Sequence, residues 1–145
     1  MGESILMKRI LILCADNSAR SQMAKAFLER VTFNRIEVHS AGINPKPIHP
    51  IAIKVMRELG IDISKNRSKT VNEYYHDKFD FVITVCENSR EKCPPFQGTH
   101  TKIHKSIDNP ASTRGSEKNK NEAFRKVRDQ IKDWLTDFAE RYNLV

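Results

Sequence analysis

An apolar tetrapeptide that stops at a cysteine constrains this chain most. Ile10 to Leu13 reads as a buried strand, Cys14 stands at its end, and Gln22 to Arg30 carries a helical pattern. Met23, Ala24, Phe27, Leu28 and Val31 recur at steps of three and four and make its buried face. Strand, short loop and helix start together form an anion site, because loop and first-turn amides have no intrahelical partner and can converge on one oxyanion. Ala15, Asp16, Asn17, Ser18 and Ala19 form that loop, Arg20 adds a planar fork of donors, and Ser21 follows. The same field favours a thiolate at Cys14. The stretch therefore describes a nucleophilic sulfur facing a tetrahedral oxyanion. A Cys-x5-Arg-Ser spacing recurs by chance, and a free cysteine is more often core. The strand before the motif and the helix after it shift the balance toward chemistry.

Further along, Arg35 to His39 predicts a second strand, broken by Ser40-Ala41-Gly42, and Asn44 to Pro50 a proline-rich loop. Pro50 suits the first turn of a helix with Ile51, Ala52, Val55, Met56 and Leu59 inside, and Gly60 suits its cap. A short helix is expected within Val71 to His76. Asp80 to Val85 is almost continuously apolar, as parallel strands buried on both faces are, and it ends at Cys86. Glu87 to Gly98 reads as loop, Thr101 to His104 as a fourth strand, Asp108 to Lys120 as polar connection, and Asn121 to Tyr142 as the last helix. Alternating strands and helices predict an α/β fold with a parallel sheet covered on both faces. Ligands of such sheets bind at the carboxyl ends of the strands, where Cys14 and Cys86 both stand.

A chain of 145 residues is expected to be one domain over residues 8–145, with Met1 to Met7 as an extension. No apolar run approaches a membrane span, and Met1 to Met7 does not read as a secretory signal or a myristoylation site. The net charge of +7 suits an anionic substrate, but no nucleic-acid motif accompanies it. Three cysteines in a chain expected to be cytoplasmic favour catalytic or redox thiols over a disulfide framework. The polar surface gives no reason to expect more than a monomer.

Cys93 lies seven positions beyond Cys86, near enough to close a disulfide if the intervening turn bends. That spacing permits successive exchange: Cys14 attacks an oxyanion, Cys86 attacks Cys14, and Cys93 attacks Cys86. Other readings stand beside it. Cys86 can be core and Cys93 a chance surface thiol. A zinc site of Cys86, Cys93, His100 and His104 is disfavoured, since neither spacing matches a finger or ribbon. His39 and His49 suit packing or capping.

The residues resemble the thioredoxin-coupled arsenate reductases, which share the fold and anion loop of low-molecular-weight protein tyrosine phosphatases. The resemblance rests on Cys14-x5-Arg20-Ser21 with Gln22-Met23-Ala24, on Val38-His39-Ser40-Ala41-Gly42, and on Ile61-Asp62-Ile63-Ser64. It rests also on Asp80 to Cys86 with Cys93-Pro94, and on Val127-Arg128-Asp129-Gln130-Ile131. It implies a three-layer, phosphotyrosine phosphatase I-like fold, with a four-stranded parallel sheet in order 2-1-3-4 and helices on both faces. It implies reduction of arsenate to arsenite through a Cys14 adduct, attack by Cys86, and a Cys86–Cys93 disulfide reduced by thioredoxin or a glutaredoxin-like partner. Arg20 would bind the oxyanion, and Asn17 and Ser21 would hold the loop and thiolate. No bound organic cofactor and no metal are expected.

Three departures from the family pattern stand out, at four positions. Asp16 stands where the family usually has Gly. Asn109 stands where a general-acid aspartate precedes a proline, so either Asp108 takes the role of acid through a shifted loop or acid catalysis is weak. Lys25 and Lys69 match acidic positions that hold potassium in some relatives, so no potassium site is expected and an ammonium stands in for the ion's charge. The competing functions are a phosphatase working through a Cys14 phosphocysteine and a non-enzymatic oxyanion or redox sensor. The Cys86/Cys93 pair and the loss of the acid at Asn109 favour the reductase.

Overall fold

The computed structural model describes residues 8–87, 95–98 and 100–145. Strand β1 (Arg9–Cys14) leads into helix α1 (Arg20–Val31), β2 (Glu37–Gly42) and α2 (Pro50–Arg57). A 3₁₀ turn over Val71–Tyr74, β3 (Phe81–Thr84), β4 (Thr101–His104), a second 3₁₀ turn over Pro110–Ser112 and helix α3 (Glu117–Arg141) complete the described chain. The strands form one parallel sheet in the order β2-β1-β3-β4, as the resemblance implies. The expected extension, Met1 to Met7, lies outside the described residues.

The pleat divides the core. Ile10, Ile12 and Cys14 of β1 join Phe81 and Ile83 of β3 and the apolar faces of α1, α2 and α3 in one cluster. Leu11, Leu13 and Val82 point the other way, into a smaller cluster closed by Val71, Tyr74, Phe79 and Phe96. Each face of the sheet is thus covered, one by three α-helices and the other by a 3₁₀ turn and a group of rings. Central β1 is buried on both faces, which explains its uninterrupted apolar run.

Two boundaries differ from expectation for definite reasons, and a third, the end of α2, agrees with it. Strand β2 does not break at Ser40. It continues to Gly42, pairing Ser40, Ala41 and Gly42 with Ile12, Leu13 and Cys14. Small residues are required there because the anion loop crosses the end of this strand. Helix α3 begins four residues earlier than expected, at Glu117, where the Ser116 hydroxyl accepts the Asn119 N–H at 3.1 Å. Its first turn is polar, so apolar spacing does not mark it. Helix α2 ends at Arg57, and Gly60 (φ 77°) closes it with its N–H on Arg57 O (2.9 Å) and the Ile61 N–H on Met56 O (3.1 Å).

Candidate active site

Residues 14–21 wrap from the end of β1 into α1, and the backbone of this loop is held from outside. The Ala15 carbonyl accepts from the N–H of Ile43 and Asn44, Asp16 O from Lys46 N–H, and Ser18 O from His49 N–H, at 2.9–3.1 Å. Asn17 O accepts from Gln22 Nε2 (3.1 Å), and the single Ser68 hydroxyl proton is shared between Asn17 O (3.0 Å) and Lys46 O. A trans peptide turns its N–H away from its C=O. With these carbonyls facing the 43–49 segment and Ser68, the amides of Asp16, Asn17, Ser18 and Ala19 face the opposite side. The Asn17 N–H shows what lies there: it points at Cys14 Sγ, 3.3 Å away.

Asn17 is the keystone. It is fully buried in left-handed backbone (φ 52°), a conformation asparagine tolerates better than most residues. Its Oδ1 accepts from Lys69 N–H (2.9 Å) and Gln22 Nε2 (3.1 Å), and its Nδ2 donates to Ser21 Oγ (2.7 Å). Because Asn17 donates to that hydroxyl, the Ser21 proton is left to point at Cys14 Sγ, 2.9 Å away. Cys14 is buried and free. Burial pushes its thiol up, Arg20 and the Ser21 bonds pull against that, and the Asp16 charge adds to the push.

Arg20 is buried at the first position of α1. Its Nη1 donates to Ile107 O (3.1 Å) and approaches Val85 O (3.5 Å), so the guanidinium links the anion loop to the ends of β3 and β4. Val85 N–H in turn donates to Leu13 O at 2.9 Å. Cys86 follows, completely buried and disulfide-bonded, in the same core cluster as Cys14. The expected Cys93 lies outside the described residues. Glu87 accepts the Asn109 N–H on Oε1 at 2.7 Å. Asn109 Oδ1 accepts from Ala111 N–H at 3.1 Å and caps its own turn, while the side chain of Asp108 is exposed. Asp108 therefore sits one residue beyond a carbonyl that Arg20 holds, with its carboxyl toward solvent.

The family model of the low molecular weight phosphotyrosine protein phosphatases matches residues 9–144. The chain belongs to this family. It is 38% identical to the arsenate reductases of Halalkalibacterium halodurans and Bacillus subtilis, in each case over 92% of this chain and 96% of the relative. A solved arsenate reductase in its phosphate-binding state superposes with a TM-score of 0.78 at 32% identity, covering 93% of this chain and 98% of that one.

Several residues of this phosphatase-family loop were not singled out from sequence. Gln22 is buried and bonds Asn17 twice, and Ser68 fastens Asn17 to the Lys46 segment. Gln22 enters the sequence reading only as part of the helix-start motif, and nothing local marks Ser68, because their partners lie in the loop they support. Gly42 did carry a signal, as the end of a small-residue run. A Cβ there would stand 2.8 Å from Ala15 O and 2.9 Å from Asn17 N, both backbone atoms. His49 caps α2, accepting from Ile51 N–H (3.1 Å), and packs on Phe124 with ring centres 4.6 Å apart, as its expected role required. Lys25 pairs with Glu29 (3.0 Å), and the Lys69 ammonium donates to Arg67 O (3.1 Å). Burial, then the charge of Lys25, holds the Lys69 pKa below its ordinary value.

Proposed function

We propose that this protein is an arsenate reductase that works through three sulfurs in series. Cys14 Sγ attacks arsenate seated on the amides of residues 16–19 and on Arg20, and a hydroxide leaves as water once protonated. Asp108 is the candidate donor of that proton. Cys86 as thiolate attacks Cys14 Sγ. The S–As bond breaks, its electron pair stays with arsenic, and arsenite departs. Cys93 then attacks Cys86, expels the Cys14 thiolate and leaves a Cys86–Cys93 disulfide. Thioredoxin, or a glutaredoxin-like dithiol, reduces that disulfide, which suits a cytoplasmic setting. No metal or bound organic cofactor enters the cycle.

The observation that carries this reading is the placing of Cys14 and Cys86 at the carboxyl ends of adjacent parallel strands, within one buried cluster. The resemblance to named arsenate reductases over most of the chain supports it. Phosphomonoester hydrolysis through a Cys14 phosphocysteine is the second reading, favoured by the family to which the chain belongs. Against it, Asn109 has no titratable proton for an alkoxide leaving group.

The test supplies arsenate, thioredoxin, thioredoxin reductase and NADPH, and follows NADPH loss. Cys86→Ser and Cys93→Ser are each expected to stop multiple turnover, with feeble cleavage of phenyl phosphate by the wild type. Turnover in Cys93→Ser equal to wild type removes the relay. Phosphatase activity that is strong and survives both changes establishes the second reading instead.

A further inference from the structure

The amide of Ser18 already has a partner. Asp16 Oδ1 accepts the Ser18 N–H at 3.2 Å, and Asp16 is half-buried within the loop rather than turned out to solvent. The Ser18 amide belongs to the peptide whose carbonyl, Asn17 O, is held outward by Gln22 and Ser68. It is therefore one of the amides that face the Cys14 side. A carboxylate oxygen thus rests on a donor that the anion cradle presents to its ligand.

We propose that Asp16 is an internal competitor for the oxyanion: its carboxylate holds the Ser18 amide, and an incoming tetrahedral anion binds by displacing it. The inference rests on the reading of residues 14–21 as an oxyanion site and gives one of its residues a role opposed to binding. At 3.2 Å the bond is long for a charge-assisted one, so it can be exchanged for a better-placed oxygen. The fixed negative charge stays beside the cradle after exchange, and it disfavours an anion of higher charge more than one of lower charge. It acts on the nucleophile in the same sense, since the Asp16 charge pushes the Cys14 thiol up. The residue therefore sets a threshold on affinity, lowers the fraction of thiolate, and biases the loop toward less highly charged oxyanions.

Asparagine separates charge from shape, because its side-chain oxygen can still accept the Ser18 N–H. Inorganic phosphate binding is measured by calorimetry at neutral pH in a Cys86→Ser, Cys93→Ser background, where Cys14 is the remaining cysteine. Thiolate absorbance against pH is followed in the same proteins. Asp16→Asn is expected to bind phosphate about tenfold more tightly, and its Cys14 to ionise at lower pH. Asp16→Gly is expected to bind more tightly as well. Affinity in Asp16→Asn no greater than in the background protein overturns the proposal, as does an unmoved thiol titration. If Asp16 were a strut alone, Asp16→Asn would match the background and Asp16→Gly would bind more weakly. Arsenate turnover is scored separately with all cysteines present. Tighter phosphate binding without arsenate reduction leaves this inference standing and ends the reductase reading. Turnover with unchanged affinity in Asp16→Asn does the reverse.

Discussion

The two strand-end cysteines lie on neighbouring strands but are held in different ways. Cys14 sits in a loop whose geometry is over-determined. Ser21 and the Asn17 amide bond its sulfur, four loop carbonyls are fastened to segments outside, and the backbone of β2 presses against the loop so closely that only glycine fits. Cys86 takes its position from the pairing of β3 with β1, one residue past Val85. Around it, Arg20 donates to the carbonyl of Ile107 and approaches that of Val85, Glu87 accepts from Asn109, and Cys86 itself is buried and disulfide-bonded. Beyond it, Phe96 seals the smaller core cluster against Phe79, Tyr75 and His100. The contrast matches the two tasks assigned to them. A cradle that must aim several amides at one anion has to be rigid before the ligand arrives. A sulfur proposed to meet first one partner and then another is instead held by a covalent tie that a thiolate can exchange.

The sharpest way to break that comparison is at Asn17. Asn17→Ala strands the Lys69 amide, removes one acceptor from Gln22 and the Nδ2 donor from Ser21, and places alanine at positive φ. It should cost about 4 kcal/mol and weaken phosphate binding more than tenfold. Thermal melting and calorimetry together check both effects. Phe96→Ala should cost nearly as much stability, about 3 kcal/mol, yet leave phosphate affinity within about twofold, since Phe96 belongs to the other cluster. If Phe96→Ala loosened phosphate as strongly as Asn17→Ala, the two regions would be one unit and the contrast would fail.

Gly42→Ala probes the loop from β2. The new methyl meets backbone rather than a flexible side chain, so the loop must shift. A stability loss of about 2 kcal/mol is expected, with phosphate affinity lowered roughly tenfold. Glu87→Gln should be the mildest change near Cys86. The amide oxygen can still accept from Asn109, so about 0.5 kcal/mol is expected, with phosphate binding unchanged.

The helical frame behind both cysteines offers a control. Glu58 is held by Arg125 and Arg128 across α2 and α3, and chiefly through the Arg125 bonds its carboxyl is pulled down from 4.5 to about 2. A depressed carboxyl stabilises the fold above its unfolded pKa and loses that contribution as pH falls toward the folded value. Wild type should therefore lose melting temperature more steeply than Glu58→Gln between about pH 4.5 and 2. The effect is small because Glu58 is partly exposed. Phosphate binding near neutrality should be the same in both.

Much of this was legible before any coordinates. Cys14, Arg20 and Ser21 stand within eight positions on a strand-loop-helix, and a contiguous motif carries its own geometry. The parallel sheet followed from the alternation of apolar runs, and Gly60 marked the end of α2. What escaped was of another kind. The end of β2 was misplaced because Ser40-Ala41-Gly42 looks like a break until the loop it must pass is known. The start of α3 was hidden because a capped, polar first turn has no apolar period.

Consecutive residues alone were enough to mark the candidate nucleophile, its loop and the class of fold, because amide direction and hydrophobic period are local properties. Long-range contacts settled the rest: Gln22, Ser68 and Lys69 converge on Asn17, Gly42 leaves room for the loop, and the Asp16 carboxylate turns onto the Ser18 amide. Those facts depend on which distant segments meet, and each arises from hydrogen bonds and close contacts whose two partners lie far apart in the chain or point in directions that a residue's identity does not fix.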